Sequence, residues 1–172
     1  AAKWGIPSWG SSLNFSAAIS QMKLSYFIPR RSHFYNTHNV SNGGVIPDSA
    51  TPARVKIRKI EGSPASGDQE EEYLVIQNPN NDAIDISGWT LSGGIDFTFD
   101  PGTVIISGGV IYVSPNLASF RARATGPTGG QELVVVGPYS ANIGNGELVT
   151  LSNASGQIVH EKRFTAFSAG SD

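Results

Sequence analysis

Chemistry in this chain would have to come from carboxylates, three histidines and a short basic stripe, because there is no cysteine. That absence removes disulfides, thiolate nucleophiles and Cys-ligated zinc or iron–sulfur sites. Between Lys59 and Arg121 there is no Lys or Arg, yet Asp68, Glu70, Glu71, Glu72, Asp82, Asp85, Asp96 and Asp100 fall there. Calcium takes oxygen ligands of this kind, but no run has the spacing of an EF-hand loop or another compact ligand set. A solvated acidic face is the favoured reading, and no cofactor or metal is expected. Glu70, Glu71 and Glu72 are expected opposite an outward-facing Arg54, Lys56 and Arg58 on a neighbouring strand, each cross-strand pair contributing roughly 0.2–1 kcal/mol.

His33, His38 and His160 are scattered, and no two of them sit at the i, i+4 spacing of a helical zinc motif. Nothing matches G-x-S-x-G, so a Ser-His-Asp triad is rejected. Gly144-Asn145-Gly146 introduces a hairpin rather than a phosphate-binding helix. The stripe Arg54, Lys56 and Arg58, with Lys59, has the chemistry to touch phosphate or an anionic glycan. A solvated strand face is the simpler reading for a stripe this short. Asn14-Phe15-Ser16, Asn39-Val40-Ser41 and Asn153-Ala154-Ser155 match the glycosylation sequon, which matters only in a eukaryotic secretory pathway.

The elements that would position these residues are mostly strands. Charged residues are 15% of the chain, alongside 20 Gly and 10 Pro, the profile of a loop-rich all-β protein. The net charge of −2 gives no electrostatic case for nucleic acid. No apolar run approaches the length of a membrane span. Residues 1–50 differ from the rest: Ala18, Ile19, Met22, Tyr26 and Phe27 follow a helical period, with Asn14 as N-cap. Pro29 is expected to end or kink that helix, and Arg30–His38 to form a second short one. Residues 41–52 are punctuated like a linker. This segment is read as the end of a neighbouring domain, the chain being a fragment or a mature form.

From Arg54 onward the pattern is short strands. Val55 and Ile57 face inward in the first, Leu74 and Ile76 in the second. Asn78–Asp82 is a turn, and further strands come near 84–86, 89–91, 95–99, 104–106, 110–114, 132–136, 147–152 and 157–164. Leu117–Ala124 is read as a short helical turn. Asn145-Gly146 and Ser155-Gly156 are hairpin signals. Strands this short, separated by turns, predict a β-sandwich over 51–167 with a disordered tail at 168–172.

Four stretches carry a family resemblance. They are Glu72-Tyr73-Leu74-Val75-Ile76-Gln77-Asn78-Pro79; Ile84-Asp85-Ile86-Ser87-Gly88-Trp89-Thr90-Leu91; Phe99-Asp100-Pro101-Gly102-Thr103-Val104-Ile105 with Gly109-Val110-Ile111-Tyr112-Val113; and Gly146-Glu147-Leu148-Val149-Thr150-Leu151 with Gly156-Gln157-Ile158-Val159. In this order they resemble the lamin tail domain family, bacterial type. Met22–Ile28 with Arg30-Arg31 is similar to the last helix of spore-coat-H (CotH) kinase-like domains.

The resemblance implies an all-β, immunoglobulin-like β-sandwich with an N-terminal helical segment. It implies an accessory domain of a secreted or surface bacterial protein and no catalytic residues. The partner expected is a protein or a cell-surface polymer, met at the sheet surface or the loops around Asn78–Asp82 and Gly93–Asp96; oligomeric state is left open. Within the signature, Trp89 is expected as a core anchor and Gly88 in a conformation closed to a Cβ. Asp85 and Ser87 are expected to bond the local backbone. The alternatives are the accessory end of a kinase-like or hydrolytic enzyme, and self-association through an edge strand.

Overall fold

The computed structural model describes residues 15–46, 54–128 and 131–166. Asn14, the later part of the expected linker and the tail 168–172 lie outside them. The chain divides into two compact units, Ala1–Asp48 and Ser49–Asp172.

In the first unit, α1 (Phe15–Met22) leads through a π-helical turn, Lys23–Phe27, into α2 (Ile28–Thr37). Pro29 neither ends the helix nor separates two of them; it sits in the first turn of α2. The N–H of Ile28 reaches back five residues to the Lys23 carbonyl. That wider turn falls just ahead of a ring that has no N–H to offer, which is how the helix passes a proline. The Arg30 guanidinium lies over the rings of Tyr26 and Phe34, at 5.6 and 4.9 Å. No residue of α1, the π turn or α2 is buried.

The second unit runs through β1 (Lys56–Glu61), β2 (Tyr73–Gln77), β3 (Ile84–Asp85), β4 (Thr90–Ser92), β5 (Phe97–Thr98), β6 (Val104–Ile105), β7 (Val110–Val113), α3 (Leu117–Ala122), β8 (Val135–Val136), β9 (Leu148–Ser152) and β10 (Ile158–Arg163). One sheet has the order β1-β2-β7-β8, the other β10-β9-β4-β5, and β3 pairs with β6 in a separate ribbon. All pairings are antiparallel except β7 with β8. The connection between those two contains α3, and a crossover of that length lets strands run parallel.

The core lies between the sheets. Leu74, Ile76, Ile111 and Val113 come from the first, Leu91, Val149 and Leu151 from the second. Each such side chain contributes about 1.5–3 kcal/mol on full burial. Leu74 and Ile76 face inward as their alternation predicts, but β2 is buried on both faces. Its outer residues, Tyr73 and Val75, form a second cluster with Phe120 of α3. Asn116 caps α3, accepting from the N–H groups of Ala118 and Ser119 at 2.9 and 3.2 Å.

Both β1 and β10 carry a bulge. In β1 the register on β2 slips between Ile57 and Lys59, leaving Arg58 as the extra residue. In β10 the register on β9 slips between Ile158 and His160. Because side chains alternate with period two, each slip reverses the phase of the residues beyond it. The slip in β1 is what lets Ile57 and Ile60, three apart, both enter the core.

Candidate functional site

The signature turn is a structural joint. Ile86 O accepts from the Trp89 N–H at 3.1 Å, and Gly88 between them has φ +72°. A positive φ at that corner favours glycine; a Cβ there would meet only Ala154 Cβ at an ordinary 3.6 Å, so the constraint is backbone conformation and not the clash expected from the sequence. Asp85 Oδ1 accepts from the Ser87 N–H at 2.9 Å and from the Ser87 hydroxyl at 2.5 Å. Ser87 Oγ in turn accepts from the Gly102 N–H at 2.9 Å. Gly88 N–H donates to Phe99 O, and Phe99 N–H to Trp89 O. The Asp85–Leu91 and Phe99–Ile105 motifs are therefore sewn to each other. Trp89, 7% exposed, belongs to the core cluster.

The three glutamates Glu70–Glu72 do not meet Arg54, Lys56 and Arg58. β1 and β2 run antiparallel with Glu61 opposite Tyr73, so the glutamates lie at the far end of the pair from Arg54. Glu70 Oε2 accepts from Asn116 and Ser119 beside α3. Glu71 lies 3.8 Å from the buried Arg123, whose guanidinium stacks 4.9 Å from the centre of the Tyr73 ring.

Glu72 goes inside. It is fully buried, and its Oε2 accepts from the Tyr139 hydroxyl and the Ile143 N–H, both at 3.1 Å. Burial raises its pKa, against the two hydrogen bonds that lower it, and nearby Glu147 adds to the rise. Asn78 is a second buried hub. Its Nδ2 donates to the carbonyls of Asp82, Ile105 and Ile106 at 2.8, 2.9 and 3.1 Å. Its Oδ1 accepts from the Asn80 N–H at 2.9 Å. Within the Asn78–Asp82 loop Asn78 is buried and Asn80 half-buried, while Pro79, Asn81 and Asp82 are exposed.

The basic stripe is larger than Arg54, Lys56 and Arg58 alone, because β10 lies beside β1. On β10, His160 is opposite Leu151 and Lys162 opposite Val149, both core residues, so these two side chains fall on the core-facing side of an edge strand. They fasten the two sheets. Lys162 Nζ donates to Arg58 O at 2.7 Å, and Ile57 N–H donates to His160 Nδ1 at 3.4 Å. The imidazole's pKa is lowered by burial and by Lys162 and Lys56, with Glu161 opposing. Lys59 donates to Glu61 at 3.0 Å and to the Tyr73 hydroxyl at 2.8 Å. Burial works against the Lys59 charge, but those two bonds outweigh it and hold its pKa above the ordinary value. Arg54, Lys56 and Arg58 are exposed, and none pairs with a carboxylate among the described residues.

Sequence reasoning missed Glu72, Asn78, His160 and Lys162. The first two carried a signal: 72, 74, 76 and 78 share one strand face with the core residues Leu74 and Ile76. The last two did not, because the bulge in β10 changes the phase.

Among the described residues, no group of three His, Asp or Glu is placed to hold a metal ion, and no helix is long and apolar enough to cross a membrane. No curated protein matches this sequence. The family model of the Lamin Tail Domain matches residues 48–165, more than half of the chain, and spans the sandwich with its four sequence motifs. The chain belongs to the lamin tail domain family, whose immunoglobulin-like β-sandwich its second unit adopts.

Proposed function

We propose that this domain is a non-catalytic interaction or positioning module of a larger secreted or cell-surface bacterial protein, with a protein or a surface polymer as its partner. One observation carries the reading. The polar side chains best suited to chemistry are spent on architecture: Glu72 on Tyr139 and Ile143, Asn78 on three carbonyls, Asp85 and Ser87 on the signature turn. The exposed cations Arg54, Lys56 and Arg58 remain to meet something else. The bacterial and extracellular setting rests on the motif resemblance, and fractionation of the source cells tests it.

A melting-temperature screen against calcium, anionic oligosaccharides, acidic peptides and short DNA tests the module itself. A ligand at a hundred times its Kd stabilises the fold by about 2.7 kcal/mol. Turnover of a phosphoryl or ester substrate by the purified chain would overturn the reading.

A second reading, the accessory end of a kinase-like or hydrolytic enzyme, is favoured by the helical unit. Met22, Tyr26 and Phe27 are 45%, 52% and 54% exposed. Exposed apolar residues in a group mark a surface that another body covers. Co-expression with a candidate catalytic domain and measurement of co-purification tests it; loss of co-purification in a Met22→Ser, Phe27→Ser variant is the expected result.

A further inference from the structure

We propose that the seam between β1 and β10 binds an acidic, extended protein segment. This rests on the reading of the domain as an interaction module and names the partner's chemistry.

Charge is segregated in the second unit. Of the twelve Lys and Arg in the chain, Arg54, Lys56, Arg58, Lys59, Lys162 and Arg163 come together on these two strands or at their ends. The contact between these two edge strands brings together stretches about a hundred positions apart; Lys162 Nζ donates to the Arg58 carbonyl directly. Only Glu61 and Glu161 stand among them, and both are engaged, Glu61 by Lys59 and Glu161 by the Thr150 hydroxyl at 3.1 Å. The bulge at Arg58 matters here. It places two consecutive cations, Arg58 and Lys59, on the exposed surface, where strict alternation would turn one of them inward.

Three observations select the partner. Alternate residues on a strand are about 6.6 Å apart, the repeat at which an extended peptide presents its own alternate side chains. β1 and β10 carry no Phe, Tyr or Trp. Single-stranded nucleic acid is held by aromatic stacking as well as charge, so the seam lacks what that ligand class needs. The edge is not open to backbone pairing at its centre, because His160 takes the Ile57 N–H and Lys162 takes the Arg58 carbonyl. Recognition is therefore by side-chain charge: fast, sensitive to salt, and dependent on Arg54, Lys56 and Arg58, which pair with no carboxylate among the described residues.

Fluorescence anisotropy with a labelled alternating Glu-Thr peptide tests this, beside an alternating Gln-Thr peptide, a sulfated oligosaccharide and an oligo-thymidine of similar length. The chain is used whole, as wild type, as Lys56→Glu and as Lys23→Glu, the last making the same charge change in the helical unit. The acidic peptide is expected to bind with salt-dependent affinity, and the Gln-Thr peptide not to bind. Lys56→Glu is expected to weaken the acidic peptide about tenfold, while Lys23→Glu leaves it unchanged; circular dichroism confirms that both variants fold. Tighter binding of the oligosaccharide or oligonucleotide overturns the assignment of a protein partner. Binding insensitive to Lys56→Glu overturns the seam but leaves the module reading standing. No binding by any probe at low salt overturns the proposal outright.

Discussion

Tyr139 donates its hydroxyl hydrogen to Glu72 Oε2 across 3.1 Å, although the two residues are 67 positions apart. Both are buried, and the other carboxylate oxygen of Glu72 is buried with no hydrogen-bond partner among the described residues. Burial, and then the Glu72 carboxylate, raise the Tyr139 pKa above the usual phenol range, which favours the protonated, donating form of the hydroxyl. Tyr139→Phe removes one of the two donors to Glu72. The expected loss is about 1–3 kcal/mol, the cost of stripping a partner from a buried charged group. Urea unfolding measures it; a loss within error would show that the Ile143 N–H alone satisfies the carboxylate.

Glu72 also sets a pH dependence. Its folded pKa lies above the ordinary 4.5, chiefly through burial. A carboxyl raised in this way contributes stability that is fully present below the unfolded pKa and is lost as pH rises through the folded one. The difference in unfolding free energy between wild type and Glu72→Gln is expected to shift against wild type as pH rises above about 4.5. A flat difference curve would place the carboxyl at its unfolded pKa.

His160 predicts the opposite sign. Its folded pKa is depressed below the ordinary 6.5, by burial first and then by Lys162 and Lys56. The neutral ring is the form that accepts the Ile57 N–H at Nδ1. Its contribution is present above about pH 6.5 and is lost as pH falls through the folded pKa. His160→Gln is expected to remove that part of the acid loss of stability. Direct NMR titration of the imidazole checks it, and a value above 6.5 would sink the account.

Two glycines separate strain from space. Gly93 has φ +80° and a Cβ there would lie 2.2 Å from the Leu148 carbonyl oxygen. Gly88 has φ +72°, and its nearest neighbour would be Ala154 Cβ at an ordinary 3.6 Å. Gly88→Ala is expected to cost about 1–2 kcal/mol, the strain of a left-handed conformation alone. Gly93→Ala is expected to cost more, since the β9 backbone must move. Thermal unfolding of the two variants gives the order, and the reverse order would contradict the close approach of the Leu148 carbonyl to Gly93.

Features set by local forces were legible in the sequence, and features set by distant strands were not. Alternation placed Leu74 and Ile76 inside, and the Ser-Gly-Trp turn was readable because positive φ and a large aromatic are both local demands. The same alternation held Glu72 and Asn78, but their residue types argued for solvent, and only Tyr139, Ile143 and the 105–106 carbonyls explain why they are buried. Bulges hid the rest. The slips at Arg58 and beside His160 depend on strands far away in the chain, so no local pattern announces that His160 and Lys162 turn inward. Pro29 has the look of a stop in sequence because a π turn ahead of a proline is a rare local solution.

The two long edge strands are tied to each other by His160 and Lys162, leaving β5 and β8 as the outer strands of the two sheets. Each of those is only two residues long. So short an edge offers a neighbouring copy almost no ladder to extend. Among the described residues, sheet growth from one copy to the next at those edges would have to start from a two-residue ladder.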